Sequence, residues 1–504
     1  MGLVRALPIL TGTTSTFLIL EAINHIFGSM KRKDILTIVA SVLLTLLAAC
    51  TPTPHDVKQS EQEAEIYPDY KDVTIPINIA PMNFVVRDAE AVEVKAGNLT
   101  VSKRGGNVQF GIRDWRRLME ENDTIEVEVT ALKNGRWTAY KRFCWYVVSD
   151  SIDSYVTYRL IEPAYSVWNR LQIKQRCVEN FDEYALADYN LQENRCMNCH
   201  TPSSQNPSLS MMYVRGNGGG AILNKNGHLR KLNIKTPDMV ATSTYFQFSP
   251  SGRYIVFSAN VVVPAVQASA HKRLEVYDTA SDIYVADLEK NKIIRSQLLS
   301  DSARLETFPT FSPDGKYIYY CTSPKVELPQ NYKDLKYVLA RVPFDEALGT
   351  IGTQVDTLFT ERSVCHPRVS PDGERLLFTV QDYGTFPIWH KEADLWMMDL
   401  KTCMMDTLKI VNSEMSDTYH SWSSNSRWFV FASKRDDGLY GKPYFCYVDS
   451  NGKAHKPFCL PQQVPTFYDD FLKSFNAPEL VRDRIPFNAV DVANAMKLPA
   501  EPFE

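Results

Sequence analysis

Hydrophobic and polar positions change rhythm along this chain, and the changes divide it. Lys31-Arg32-Lys33 opens a run from Ile35 to Leu47 in which Thr37, Ser41 and Thr45 are the polar breaks. That run is too short to span a bilayer comfortably. Farther on, Val73 to Ile79 alternates around Pro76, and Thr124 to Thr130 alternates cleanly, as half-buried strands do. Lys133-Asn134-Gly135-Arg136 is a hairpin signal and Arg142 to Val148 the returning strand. These elements predict a β-sandwich-like domain over 67–150, with a short helix near Asp114 to Met119. Residues 160–195 read as helix and loop, with Trp168, Leu171 and Ile173 as packing positions. The stretch 151–214 is therefore expected to be a short helical and loop connector.

From residue 215 the pattern repeats. Tyr245 to Phe257, Phe308 to Tyr320 and His366 to Phe378 each hold a short strand, a Ser-Pro-x-Gly turn and a second strand. In such a turn Pro fixes φ, Asp bonds its own backbone and Gly accepts a positive φ. A fourth copy, His420 to Phe431, has Ser424 and Ser426 where the others have Pro and Gly. Further strands follow at Asp282 to Leu288, Asp394 to Leu400 and Tyr444 to Asp449, giving four strands per unit. Units of this size at a steady period predict a β-propeller, because one unit cannot bury its own face and a ring can. The repeats resemble the PD40 repeats of TolB-type, WD40-like propellers, bacterial periplasmic proteins, over residues 215–460. The resemblance implies a mainly β fold with about six blades. Ring closure is expected to draw on residues 155–215 or on the tail, 461–504. It also implies that the first strand of each repeat faces a central channel. His366 and His420, taken as the same place in successive repeats, then become a candidate channel site for metal-assisted lyase chemistry, or simply polar residues of the wall.

The front of the chain has the layout of a secretory signal over residues 1–49, with Met30 as the expected start. Leu47-Ala48-Ala49-Cys50 resembles the bacterial lipobox, which implies that Cys50 carries lipid. Residues 50–66, polar after Thr51-Pro52-Thr53-Pro54, are expected to be a tether. Such a chain is anchored to a membrane rather than spanning it. The expected location is the periplasmic side of the cell envelope, on the outer membrane. With 55 Lys and Arg against 59 Asp and Glu, the chain has no basic excess, and no nucleic-acid surface is expected. The 25 Tyr, 24 Phe and 8 Trp favour β packing.

The candidate chemistry lies at Cys196-Met197-Asn198-Cys199-His200. Two thiols two residues apart, followed at once by an imidazole, form the pattern for covalent haem attachment. With ten Cys and nine His in 504 residues, chance supplies on the order of 0.004 such matches. The expected cofactor is one haem c, with His200 on the iron. A redox dithiol, an unloaded remnant and structural cysteines are the alternatives. Met211 or Met212 is the candidate sixth ligand, His228 the next, and an open position remains a third option. The motif follows a β domain and precedes the repeats, with no helical cytochrome unit around it. The whole arrangement resembles exported Bacteroidetes-type lipoproteins that join such a segment to a PD40 propeller. Electron transfer to an envelope or redox partner docked on the propeller is one expected function. A non-redox scaffold binding envelope proteins or glycans is the other, and a lyase or peroxidase the third. No Gly-x-Ser-x-Gly occurs, which argues against a fused serine hydrolase. Seven further cysteines (144, 177, 321, 365, 403, 446 and 459) leave pairing open.

Overall fold

The computed structural model describes residues 52–162, 170–193, 195–266 and 274–504. The expected signal, Cys50 and Trp168 lie outside them. The chain is mainly β. Among the described residues no helix is long and apolar enough to cross a membrane.

Residues 58–148 build a seven-stranded sheet and a three-stranded one. The helix Ile112–Glu121 buries Trp115, Leu118 and Met119 against them. Trp115 and Trp145 pack edge to face at 5.4 Å, and their indole N–H groups donate to the carbonyls of Ile79 and Tyr70. Each ring thus buries a large apolar area without stranding its polar atom. The stretch read as a tether is strand over Lys58–Glu63, paired in parallel with Arg136–Lys141. Its side chains are mostly exposed, which explains why it reads as linker.

Six further sheets follow, each of four or five strands. Their inner strands are, in order, Ser474–Val481, Met197–Ser203, Ser243–Phe248, Arg304–Phe311, Ser363–Val369 and Asp417–Trp422. Each inner strand contacts the next, and the sixth contacts the first, so the cycle closes. The closing strand comes from the C-terminal segment: Ser474–Val481 pairs antiparallel with Tyr155–Ile161. Glu501–Pro502 adds an edge to the second sheet.

The expected helical connector is corrected here. Residues 155–214 form strands at Tyr155–Ile161, Gln172–Cys177, Glu183–Asp188, Met197–Ser203 and Asn206–Val214, the bulk of the first two sheets. Leu171 and Ile173 are buried as expected, but in a core between sheets. The N-terminal unit shares one continuous core with the sixth sheet, where Trp428 also donates to the Asp150 carbonyl.

The repeated turns are built alike. The backbone N–H of Gly252, Gly315, Gly373 and Ser426 donates to the carbonyl three residues back. In the same turns the hydroxyls of Ser249, Ser312, Ser370 and Ser423 accept from the N–H five residues on. Ser426 holds a left-handed φ of 60°, as the three glycines do at 72–77°.

Candidate functional site

Every inner strand carries a register break at one equivalent place. The ladders skip two residues at Ala477-Pro478, Cys199-His200, Tyr245-Phe246, Phe308-Pro309, His366-Pro367 and Tyr419-His420. These are β-bulges, which bend a strand and re-aim its side chains. Ala477, Tyr245, Phe308, His366 and Tyr419, the first residue of five of them, have φ between 45° and 53°. A non-glycine residue there costs about 1–2 kcal/mol. The aromatic ones offset that cost by packing on one another. Ring centres are 4.3 Å apart for Tyr245 and Phe308, 4.0 Å for Phe308 and His366, and 4.7 Å for His366 and Tyr419.

The bulges line a chamber of about 370 Å³. The long hairpin of the third sheet contributes Val262, Leu274 and Val276, and the turn before Trp389 contributes Phe386 and Ile388. Arg159, Glu162, Arg215, Arg368 and Glu479 are its charged residues. Cys196 and His200 are on its wall as well, so the thiol–imidazole motif opens into the central chamber. Cys199 is the first residue of its bulge.

The bulge positions change the pairing of the two histidines expected at one place. His366 matches Tyr419, and His420 lies one residue later, matching His200. The fourth repeat lacks the Pro and Gly that mark the turn, and the alignment slipped by one without them.

All three imidazoles are buried. Neither ring nitrogen of His200 or His366 has a hydrogen-bond partner. His420 differs: its Nε2 sits 3.0 Å from the Leu377 carbonyl, while Nδ1 has no partner. Thr157 holds the place beside His200 that Leu377 holds beside His420, and its backbone acts on the His200 imidazole, although the contact is looser than a full hydrogen bond. Burial, helped by Arg159, pulls His200 down to about 3. Burial and then Arg368 bring His420 to about 3. His366 is driven well below its ordinary value by burial, then by His420 and Arg368. All three are neutral at any ordinary pH, so each keeps a nitrogen lone pair. Burial pushes Glu479 up to about 7, against the pull of Arg368 at 3.2 Å.

Cys196 Sγ accepts a hydrogen bond from Asn198 Nδ2 at 3.2 Å. Asn198 is in turn held by Arg159. Met211 and Met212 face opposite sides of their strand and fill two different cores, beside Tyr213 and Phe246 and beside Met197 and Leu171. Neither lines the chamber. His228 is exposed at the Asn226-Gly227 turn, on an outer strand. Among the described residues no three His, Cys, Asp or Glu side chains converge closely enough to hold a metal ion. The remaining described cysteines are free thiols, with Cys403 exposed and Cys144 partly so. Sequence reasoning missed the chamber's arginines and Glu479, because the strand carrying Glu479 joins the first sheet from more than 300 residues away.

No family model matches the chain, and no curated protein does. Among solved structures, the chain is similar to a Synechocystis apocarotenoid oxygenase at 12% identity, covering 81% of this chain and 95% of that one, with a TM-score of 0.37. It is also similar to the tricorn protease at 12% identity, over 78% of this chain and 36% of that one, with a TM-score of 0.34. A DUF4784 family protein from Bacteroides caccae matches at 9% identity, over 69% of this chain and 97% of that one, with a TM-score of 0.29.

Proposed function

We propose that this chain is a six-bladed β-propeller of the bacterial cell envelope that holds one haem c in its axial chamber and passes electrons to a docked partner. One observation carries the reading: the attachment motif occupies the bulge of an inner strand, with Cys196 and His200 on the chamber wall. A motif retained only as a structural remnant has no need to face the chamber lined by the inner strands. The residues fit the group. His200 is buried, neutral and without a hydrogen-bond partner, which suits an axial donor. The chamber, at about 370 Å³, falls within the ~300–1,000 Å³ usual for small-molecule sites.

A haem bound there supplies one-electron exchange at its iron. Cys196 and Cys199 would hold the two vinyl positions by thioether bonds. Arg159 and Arg215 would offer cations to the propionates. Lipid on Cys50 would fix the carrier to the outer membrane, facing the periplasm.

Intact-mass and visible spectra of the full chain, made in a host that matures c-type cytochromes, test the reading. The expected result is a mass gain of one haem and a c-type spectrum, both lost in the Cys196→Ala/Cys199→Ala variant. A colourless protein whose two thiols both alkylate overturns it. The cluster of tilted Tyr245, Phe308, His366 and Tyr419 rings favours one second reading, a haem-free propeller that binds glycans or other flat ligands against them.

A further inference from the structure

We infer that His366, rather than Met211 or Met212, is the axial donor opposite His200. The inference rests on the haem c reading above. Counting round the closed cycle of inner strands, the fifth sheet lies three steps from the second in either direction. His366 therefore enters the chamber from the side facing the strand that carries the attachment motif. It lines the same chamber as His200, and both of its ring nitrogens are buried without a partner.

An unsatisfied buried polar atom costs about 1–3 kcal/mol and calls for an explanation. His420 supplies the contrast. It is equally buried, yet its Nε2 is committed to the Leu377 carbonyl, so it has a structural role that His366 lacks. Like the first residues of the equivalent bulges, His366 holds a positive φ, 53°. Stacking on Phe308 and Tyr419 fixes the ring in place.

The methionines share a second, much smaller cavity with His200 and do not line the chamber. Met211 is 1% exposed and Met212 3%, each within a core between sheets. Bringing either sulfur into the chamber would empty its place in that core, at about 2–5 kcal/mol. The lack of a converging trio of donors is no obstacle, because a porphyrin iron takes one protein donor on each face.

The test uses the full chain matured with haem, read by visible and electron paramagnetic resonance spectra and by carbon monoxide uptake. The expected wild type is low-spin, six-coordinate and unreactive to carbon monoxide. His366→Ala should keep its covalent haem, turn high-spin and bind one carbon monoxide per haem. Met211→Leu and Met212→Leu should keep the low-spin spectrum. If His366→Ala does not accumulate, His366→Met replaces it, with an expected rise in midpoint potential from the thioether donor. A five-coordinate wild type overturns the assignment. So does a low-spin His366→Ala, a His366→Met of unchanged potential, or loss of the low-spin state in either methionine variant. In each of these cases haem is present and the parent reading stands. A wild type without haem removes both.

Discussion

The burial of His200 makes a measurable demand on the protein before any cofactor is attached. Its imidazole titrates near 3 in the fold and near 6.5 in an unfolded chain. The folded value is depressed, so the stabilising contribution is complete above pH 6.5. It is lost as pH falls from 6.5 towards 3, because only the unfolded chain binds the proton there. Each unit of difference is worth about 1.4 kcal/mol, so at pH 5 the contribution has fallen by about 2 kcal/mol. Other buried groups titrate in the same window. Burial pushes Glu306 up to about 8 and Asp278 to about 7, which acts in the opposite direction. The single-site effect must therefore be read as a difference. The experiment compares denaturant unfolding of wild type and His200→Gln, both made without haem, at pH 8, 7, 6 and 5. The stability difference between them should be constant from pH 8 to 7. It should then shift by about 2 kcal/mol in favour of the variant by pH 5. Curves that stay parallel to within about 0.5 kcal/mol down to pH 5 would mean that His200 is accessible to protons. The picture of a dry, unpartnered donor would then fail.

Three further outcomes follow from the same geometry. A chain ending at Lys473 loses Phe475, Leu480, Val481, Ile485, Phe487 and Val492, all buried. At about 1.5–3 kcal/mol each, that loss matches the whole stability of a typical domain, about 5–15 kcal/mol; circular dichroism and proteolysis should find the ring unfolded, and a folded truncation would refute C-terminal closure. Arg368→Ala strips the buried Glu479 carboxyl of its ion pair and should cost about 3 kcal/mol. That cost should be larger at pH 8 than at pH 6, because Glu479 already titrates near 7 and the loss of Arg368 raises it further; a pH-independent cost counts against the pair. Ser426→Gly should be neutral within about 0.5 kcal/mol by thermal unfolding, since relief of the left-handed backbone, about 1 kcal/mol, is offset by the lost hydrogen bond from Asp372 N–H to the Ser426 hydroxyl.

How far the fold could be read from the chain depends on where its punctuation lies. The third to fifth sheets announce themselves through Ser249-Pro250, Ser312-Pro313 and Ser370-Pro371, because a tight turn needs specific residues at fixed offsets. The first two sheets lack that turn. Met197–Ser203 and Asn206–Val214 are joined through Ser204 and Gln205, both at positive φ, residue types that give no turn signal in the sequence. Gln172–Cys177 carries Gln, Lys, Gln and Arg on a strand whose burial comes from neighbouring sheets. Such a segment reads as polar until its partners are known. The inner strand of the first sheet is invisible to any local reading, since it pairs with residues more than 300 positions earlier.

The site was half legible for a related reason. The motif of Cys196, Cys199 and His200 is local and stands out in the sequence at once. Its setting is not, because a bulge is a property of two strands and not of one. Cys199-His200 and Tyr419-His420 fill equivalent bulges, although nothing in their sequences aligns them. That equivalence gives His200 two possible roles. A wall histidine at this position ties itself to the carbonyl of the preceding sheet, as His420 does to Leu377. At His200 the Thr157 backbone takes the same place, and its pull on the imidazole is outweighed by burial. A buried imidazole held less firmly than its counterpart is a cost to the fold, and the proposed haem is the group that would offset it.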